Sequence, residues 1–215
     1  MPVMVTTSSP DFEQLRAAVA AAAARMIAED GADYGTAKRK AAQQILGNGH
    51  ARGDFMPDNS QIEEEVRLYN ALFFGDTQPA RLAHLRKIAV EMMTELALFN
   101  PYLTGAVLNG TAGEHADIHL QLFVDSPKDV EIYLLNKNIQ FEISESENLR
   151  RPVKRHLRSD NDPLETLSFL YKREGIHLAL YETDDLRGNI RPPSGRRTER
   201  ADLNAARLLL EEQHR

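Results

Sequence analysis

Leu15, Val19, Ala22, Met26 and Ile27 recur at helical spacing, which predicts an opening helix from Pro10 to about Glu29, ended by Gly31. Residues 1–9 show no periodicity and read as a loose arm. A second helix is expected over about 33–46. It carries Lys38, Arg39 and Lys40 and stops at Gly47 and Gly49; residues 48–57 read as a loop. Ile62, Val66, Tyr69, Leu72 and Phe73 restore the helical period from about Ser60 to Phe74, with Ser60 and Glu63 in the spacing of a capping box. Leu82, Leu85, Ile88, Ala89, Met92, Met93 and Leu96 mark the apolar side of a fourth helix over about 78–99. Residues 1–99 therefore read as a helical region.

Past Pro101 the period shortens. Tyr102 to Leu108 is a short apolar run, read as a strand and broken by Asn109–Gly110. Ala116 to Val124 alternates, with Ile118, Leu120 and Leu122 on one side and Asp117, His119, Gln121 and Phe123 on the other. A helix is expected from Pro127 to Asn136, and a strand over 139–143. Runs 164–171 and 176–181 read as a hairpin joined across Arg173–Glu174–Gly175. A polar loop over 184–197 precedes a closing helix over about 199–212. Helices followed by a small mixed sheet with one crossover helix predict an α+β fold. Its parts are a helical region (1–99), an α+β core (100–185), and a basic loop with a C-terminal helix (186–215).

Composition narrows the chemistry. With 215 residues, 42% hydrophobic and 27% charged, the chain can bury a core; its net charge of −6 argues against a dedicated non-specific DNA binder. There are no cysteines, which excludes disulfides, thiol nucleophiles and Cys-based metal sites. No apolar run reaches the roughly 20 residues of a membrane span, and the alanine-rich stretch before Ala28 lacks a cleavage pattern, so no membrane association is expected and the cytoplasm is the expected compartment. Phosphate-loop, dinucleotide and serine-elbow motifs do not occur.

The most specific string runs from Val107 to Leu120. A strand is expected to end in Gly110–Thr111, and the next carries Asp117 and His119 two residues apart, hence on one face. A glycine turn beside a strand with such side chains suits a metal–triphosphate site. This string resembles the DNA polymerase β-like nucleotidyltransferase superfamily, especially its minimal bacterial members, over about residues 102–182. There an apolar strand ends in Gly-Ser, a second strand reads Asp-apolar-Asp or Asp-apolar-Glu, and a third carboxylate lies on a neighbouring strand. Gly110–Thr111 would correspond to Gly-Ser, Asp117 to the first acid and His119 to the second. The third position falls to His177 or to Glu142.

The resemblance implies a nucleotidyltransferase-like fold, a bound nucleoside triphosphate, and a divalent metal on Asp117, His119 and His177. Asp117 and His119 would be catalytic, and Gly110, Thr111, Arg150, Arg155 and Arg187 would hold the nucleotide. The imidazoles shift the metal preference from Mg²⁺ toward Mn²⁺ or Zn²⁺. Arg150 and Arg155 come from a cluster over 150–158 and Arg187 from a second over 187–200, where guanidinium forks suit phosphate. Two functions follow from the same motif: transfer of a nucleotidyl group to an RNA, protein or small-molecule hydroxyl, or a catalytically inactive nucleotide- or RNA-binding module. Leu72, Phe73 and Phe74 beside Gly75 offer an apolar face for a partner or for a second copy of the chain.

Overall fold

A computed structural model describes residues 9–32, 34–47, 56–145, 164–186 and 200–212. The N-terminal arm, most of the 48–57 loop, the arginine cluster with Arg150 and Arg155, and most of the 184–197 loop with Arg187 lie outside the described residues. Among the described residues are seven α-helices and one five-stranded mixed sheet, an α+β fold. No described helix is long and apolar enough to cross a membrane.

The chain divides into two compact units. One contains the described residues up to Arg81 together with Thr111–His115; the other contains Leu82–Gly110 and the described residues from Ala116 onward.

The first unit is built on α1 (Ser9–Asp30), α2 (Tyr34–Leu46) and α3 (Asn59–Phe73). Small residues let the helices approach closely: Val19, Ala20, Ala23 and Ala24 of α1 join Ala37, Ala41 and Ala42 of α2, with Ile62 and Val66 of α3, in one buried cluster. The start of α3 differs from the Ser60–Glu63 expectation. Asp58 is the N-cap: its carboxylate accepts from the Gln61 backbone N–H at 2.9 Å, while the Gln61 side chain accepts from the Asp58 N–H at 3.0 Å. The box thus lies two residues earlier, because Asp is as good a cap as Ser and Asp58 has the extended backbone of a cap (φ −77°, ψ 168°). Leu72 and Phe73, at the end of α3, are exposed.

Helix α4 (Gln78–Glu95), in the second unit from Leu82 onward, carries Leu82, Leu85, Ile88, Ala89, Met92 and Met93, all buried. It ends four residues before the expected Phe99; a 3-10 turn over Ala97–Phe99 and left-handed Asn100 (φ 49°) redirect the chain. The expected strand over 102–108 is also corrected. Strand β1 is only Tyr102–Thr104; Gly105, at φ 71°, turns the chain into the short helix α5 (Gly105–Asn109). Gly110, at φ 84°, closes α5 by donating its N–H to Ala106 O at 3.0 Å. The Arg86 guanidinium donates to the Val107 and Leu108 carbonyls at 3.1 and 3.3 Å, satisfying acceptors at the end of the helix.

Strand β2 (Ile118–Val124) forms where the alternation predicts it, but of its second side only His119 is exposed and Gln121 and Phe123 are buried; α6 (Pro127–Asn136) follows Ser126. The expected strand over 139–143 forms later, as β3 (Glu142–Glu145). Strands β4 (Glu165–Tyr171) and β5 (Glu174–Glu182) make the hairpin, joined by Lys172 and Arg173 alone, both at positive φ, rather than across Arg173–Glu174–Gly175. The closing helix α7 runs Leu203–Glu212. Sheet order is β1-β2-β5-β4-β3, with β2 and β5 parallel and the other pairs antiparallel.

One sheet face is apolar and buried: Leu103, Leu120, Leu178 and Leu167 stand side by side on β1, β2, β5 and β4. Alternation then assigns their sequence neighbours to the opposite face.

Candidate functional site

On that opposite face, register creates a polar row across all five strands. Thr104 pairs with His119, His119 with His177, His177 with Ser168, and Ser168 with Glu142. Paired residues project to the same side, so five hydrogen-bonding side chains share one line. Asp117 stands two residues before His119 and meets the row at its middle member, His177.

The tightest part of the row is a relay of three groups. Asp117 Oδ2 lies 3.1 Å from His177 Nε2, and Ser168 Oγ lies 2.8 Å from His177 Nδ1. An ionised carboxylate only accepts, so Nε2 carries the proton, and the lone pair of Nδ1 accepts from the serine hydroxyl. Asp117 can reach His177 because Gly175 intervenes without a side chain: an ideal Cβ there would stand 2.6 Å from Asp117 Cγ. These three residues line an open cleft of about 870 Å³, together with Glu142, Phe141 and Phe169 among others.

His119 packs against the other side of His177. Their rings are stacked, with centroids 4.8 Å apart and planes inclined by 16°. The His119 ring reaches solvent, yet surrounding protein mass, and then repulsion from His177, hold its pKa below the ordinary histidine value; Asp117 pulls the other way. The hydroxyl of Thr104 donates to the backbone carbonyl of His119 at 3.2 Å, tying β2 to the end of β1.

The structure thus brings Asp117, His119 and His177 together, the histidines on the strands the sequence suggested and Asp117 just before β2. The glycines next to them are Gly175 and Gly105, not Gly110: a Cβ on Gly105 would lie 3.8 Å from His119 Cδ2. Gly110 caps α5. Thr111 belongs to the first unit, where it is buried, with its hydroxyl 3.3 Å from the Tyr34 hydroxyl and its carbonyl accepting from Asn70 at 3.3 Å. Ser168 escaped the sequence reading. A serine in an alternating strand reads as a solvent-facing position, and only the hairpin register reveals its partner.

The three side chains do not fit a shared metal ion in this arrangement. Imidazole donates its lone pair in the ring plane, and two nearly parallel, stacked rings direct those pairs along parallel lines rather than toward one point. A single carboxylate also falls short of the hard oxygen set that Mg²⁺ requires. Among the described residues no group of three or more His, Asp or Glu side chains is placed to hold a metal ion. Arg200, the described member of the second arginine cluster, lies over the Tyr102 and Phe123 rings at 5.0 and 5.2 Å and donates to Leu186 O, a packing role. Comparison with protein-family models, curated proteins and solved structures finds no match to this chain.

Proposed function

We propose that the second unit is a nucleotidyltransferase-like domain that binds a nucleoside triphosphate without carrying out metal-dependent transfer. The observation behind this reading is the His119–His177 pair, in register on parallel β2 and β5 beside Asp117. The resembled family keeps carboxylates at such positions to hold two cations. Here two of the three groups are imidazoles, and the exposed His119 can donate an N–H to a phosphate oxygen directly. Nucleotidyl transfer to an RNA, protein or small-molecule hydroxyl would need a divalent ion, and the stacked rings fit none. A cytoplasmic setting goes with a ligand of this kind.

Calorimetric titration of the full chain with ATP, GTP, CTP and UTP, with Mg²⁺ and with a chelator, tests the reading. At least one nucleotide binds, with an affinity that the chelator leaves unchanged, and no pyrophosphate appears in Mg²⁺, Mn²⁺ or Zn²⁺. Pyrophosphate release in any metal would make the domain an enzyme. Failure of all four nucleotides to bind would end the nucleotide reading.

A further inference from the structure

We propose that Ser168 is an activated nucleophile, aligned by His177 and Asp117, that accepts the acyl group of a small, uncharged carboxylic ester. The order of contacts is the one nucleophilic acyl transfer requires: hydroxyl to imidazole at 2.8 Å, imidazole to carboxylate at 3.1 Å. A serine that merely satisfied a histidine would need neither the third group nor access. Here Asp117 fixes the tautomer that leaves Nδ1 free to accept, Gly175 leaves room for that carboxylate, and all three residues line the same open cleft.

The lining also selects the substrate. Asp117 and Glu142 are the charged residues among the described groups that line the cleft, and Ile139, Phe141, Phe169 and Leu170 supply apolar wall. That apolar wall suits the acyl group of a small, uncharged ester. Ser168 Oγ bonds to the carbonyl carbon as its proton passes to His177 Nδ1, and the carbonyl π pair moves onto oxygen. Collapse of that tetrahedral species breaks the bond to the alkoxy oxygen. The proton on Nδ1 then leaves with the alkoxide as an alcohol, and the acyl group stays on Ser168. Asp117 remains ionised throughout as the positioning residue, balancing the imidazolium.

Acyl transfer at Ser168 shares His177 and Asp117 with the nucleotide reading but does not rest on it, and its test contains no nucleotide. The full chain is treated with p-nitrophenyl acetate, and acetylated residues are mapped and timed by peptide mass spectrometry. Ser144, exposed on β3, serves as the internal control. Ser168 acetylates at least about tenfold faster than Ser144; His177→Ala brings it to the Ser144 rate, and Asp117→Asn slows it several-fold. Circular dichroism checks the fold of each variant, and if His177→Ala does not fold, Asp117→Asn decides alone. Acetylation of Ser168 no faster than of Ser144, or a fast rate indifferent to Asp117→Asn, overturns the proposal.

Discussion

The Asp117 carboxylate occupies the space that a side chain on Gly175 would fill. Asp117 precedes β2 and Gly175 lies near the start of β5, beside the pair Ile118 and Ile176, so the parallel register itself sets the two face to face. With the glycine in place, the carboxylate leans across to the histidine two residues further along β5. Gly175→Ala therefore displaces Asp117 into solvent, which its half-exposed side chain allows, at the cost of its bond to His177. The variant folds and loses about 1 kcal/mol in urea unfolding, the usual net worth of one such bond. Nitrogen chemical shifts of His177 report the change directly, because the imidazole no longer holds its proton on Nε2.

His119 makes stability depend on pH in a defined direction. Burial and the neighbouring His177 imidazole depress its pKa in the folded chain, whereas in the unfolded chain it titrates near the ordinary value of about 6.5. Between those two values the unfolded state binds more proton than the folded state. Stability is therefore fully present above about pH 6.5 and falls as the pH drops toward the folded pKa. Urea midpoints between pH 8 and 5 decline for the natural chain, and His119→Gln flattens part of that decline. A variant whose midpoints run parallel to the natural chain over that range contradicts the assignment.

Much of the fold is legible from periodicity, and the departures have particular causes. Helices α1, α3 and α6 and strand β2 announce themselves through repeats of 3.6 or 2, although the repeats overreach the buried face: Leu72 and Phe73 of α3 are exposed, and Gln121 of β2 is buried. Val107 and Leu108 misled because a short apolar run looks alike in a strand and in one turn of helix; the deciding residue was Gly105, whose positive φ bends the chain three residues after β1 begins. Asp117, His119 and His177 could be picked out because motif spacing lies within one strand or in a conspicuous apolar one. Ser168 could not, since its meaning depends on register. Had the two-residue turn at Lys172–Arg173 been read correctly, the pairing with His177 would have followed: each stands four residues from that turn.

The cap of α3 offers a test confined to the first unit. Asp58 accepts from Gln61 N–H, and Gln61 reaches back to Asp58 N–H, so two backbone donors at the helix start depend on one pair. Asp58→Ala removes the carboxylate and leaves the Gln61 N–H to water. The expected loss is about 1 kcal/mol, whereas Ser60→Ala changes stability little because Ser60 caps no backbone group at that end. Thermal unfolding of both variants ranks the two positions, and the opposite ranking would restore Ser60 as the cap.

Strand β5 separates stability from chemistry between two consecutive residues. Leu178 is fully buried on the apolar face, beside Leu120 and Leu167, while His177 points into the polar row on the other side. Leu178→Ala opens a cavity in the sheet core and costs about 2–5 kcal/mol, with the spread set by how far Leu120 and Leu167 can close the gap. His177→Ala removes hydrogen bonds whose partners, Asp117 and Ser168, can turn to water, so its cost stays near 1 kcal/mol. The acetylation rate of Ser168 runs the other way: it survives Leu178→Ala wherever the variant remains folded and collapses in His177→Ala. Urea unfolding and acetylation measured on both proteins give this crossed pattern. Parallel losses in the two assays would mean that the row of polar side chains serves the sheet and not a reaction.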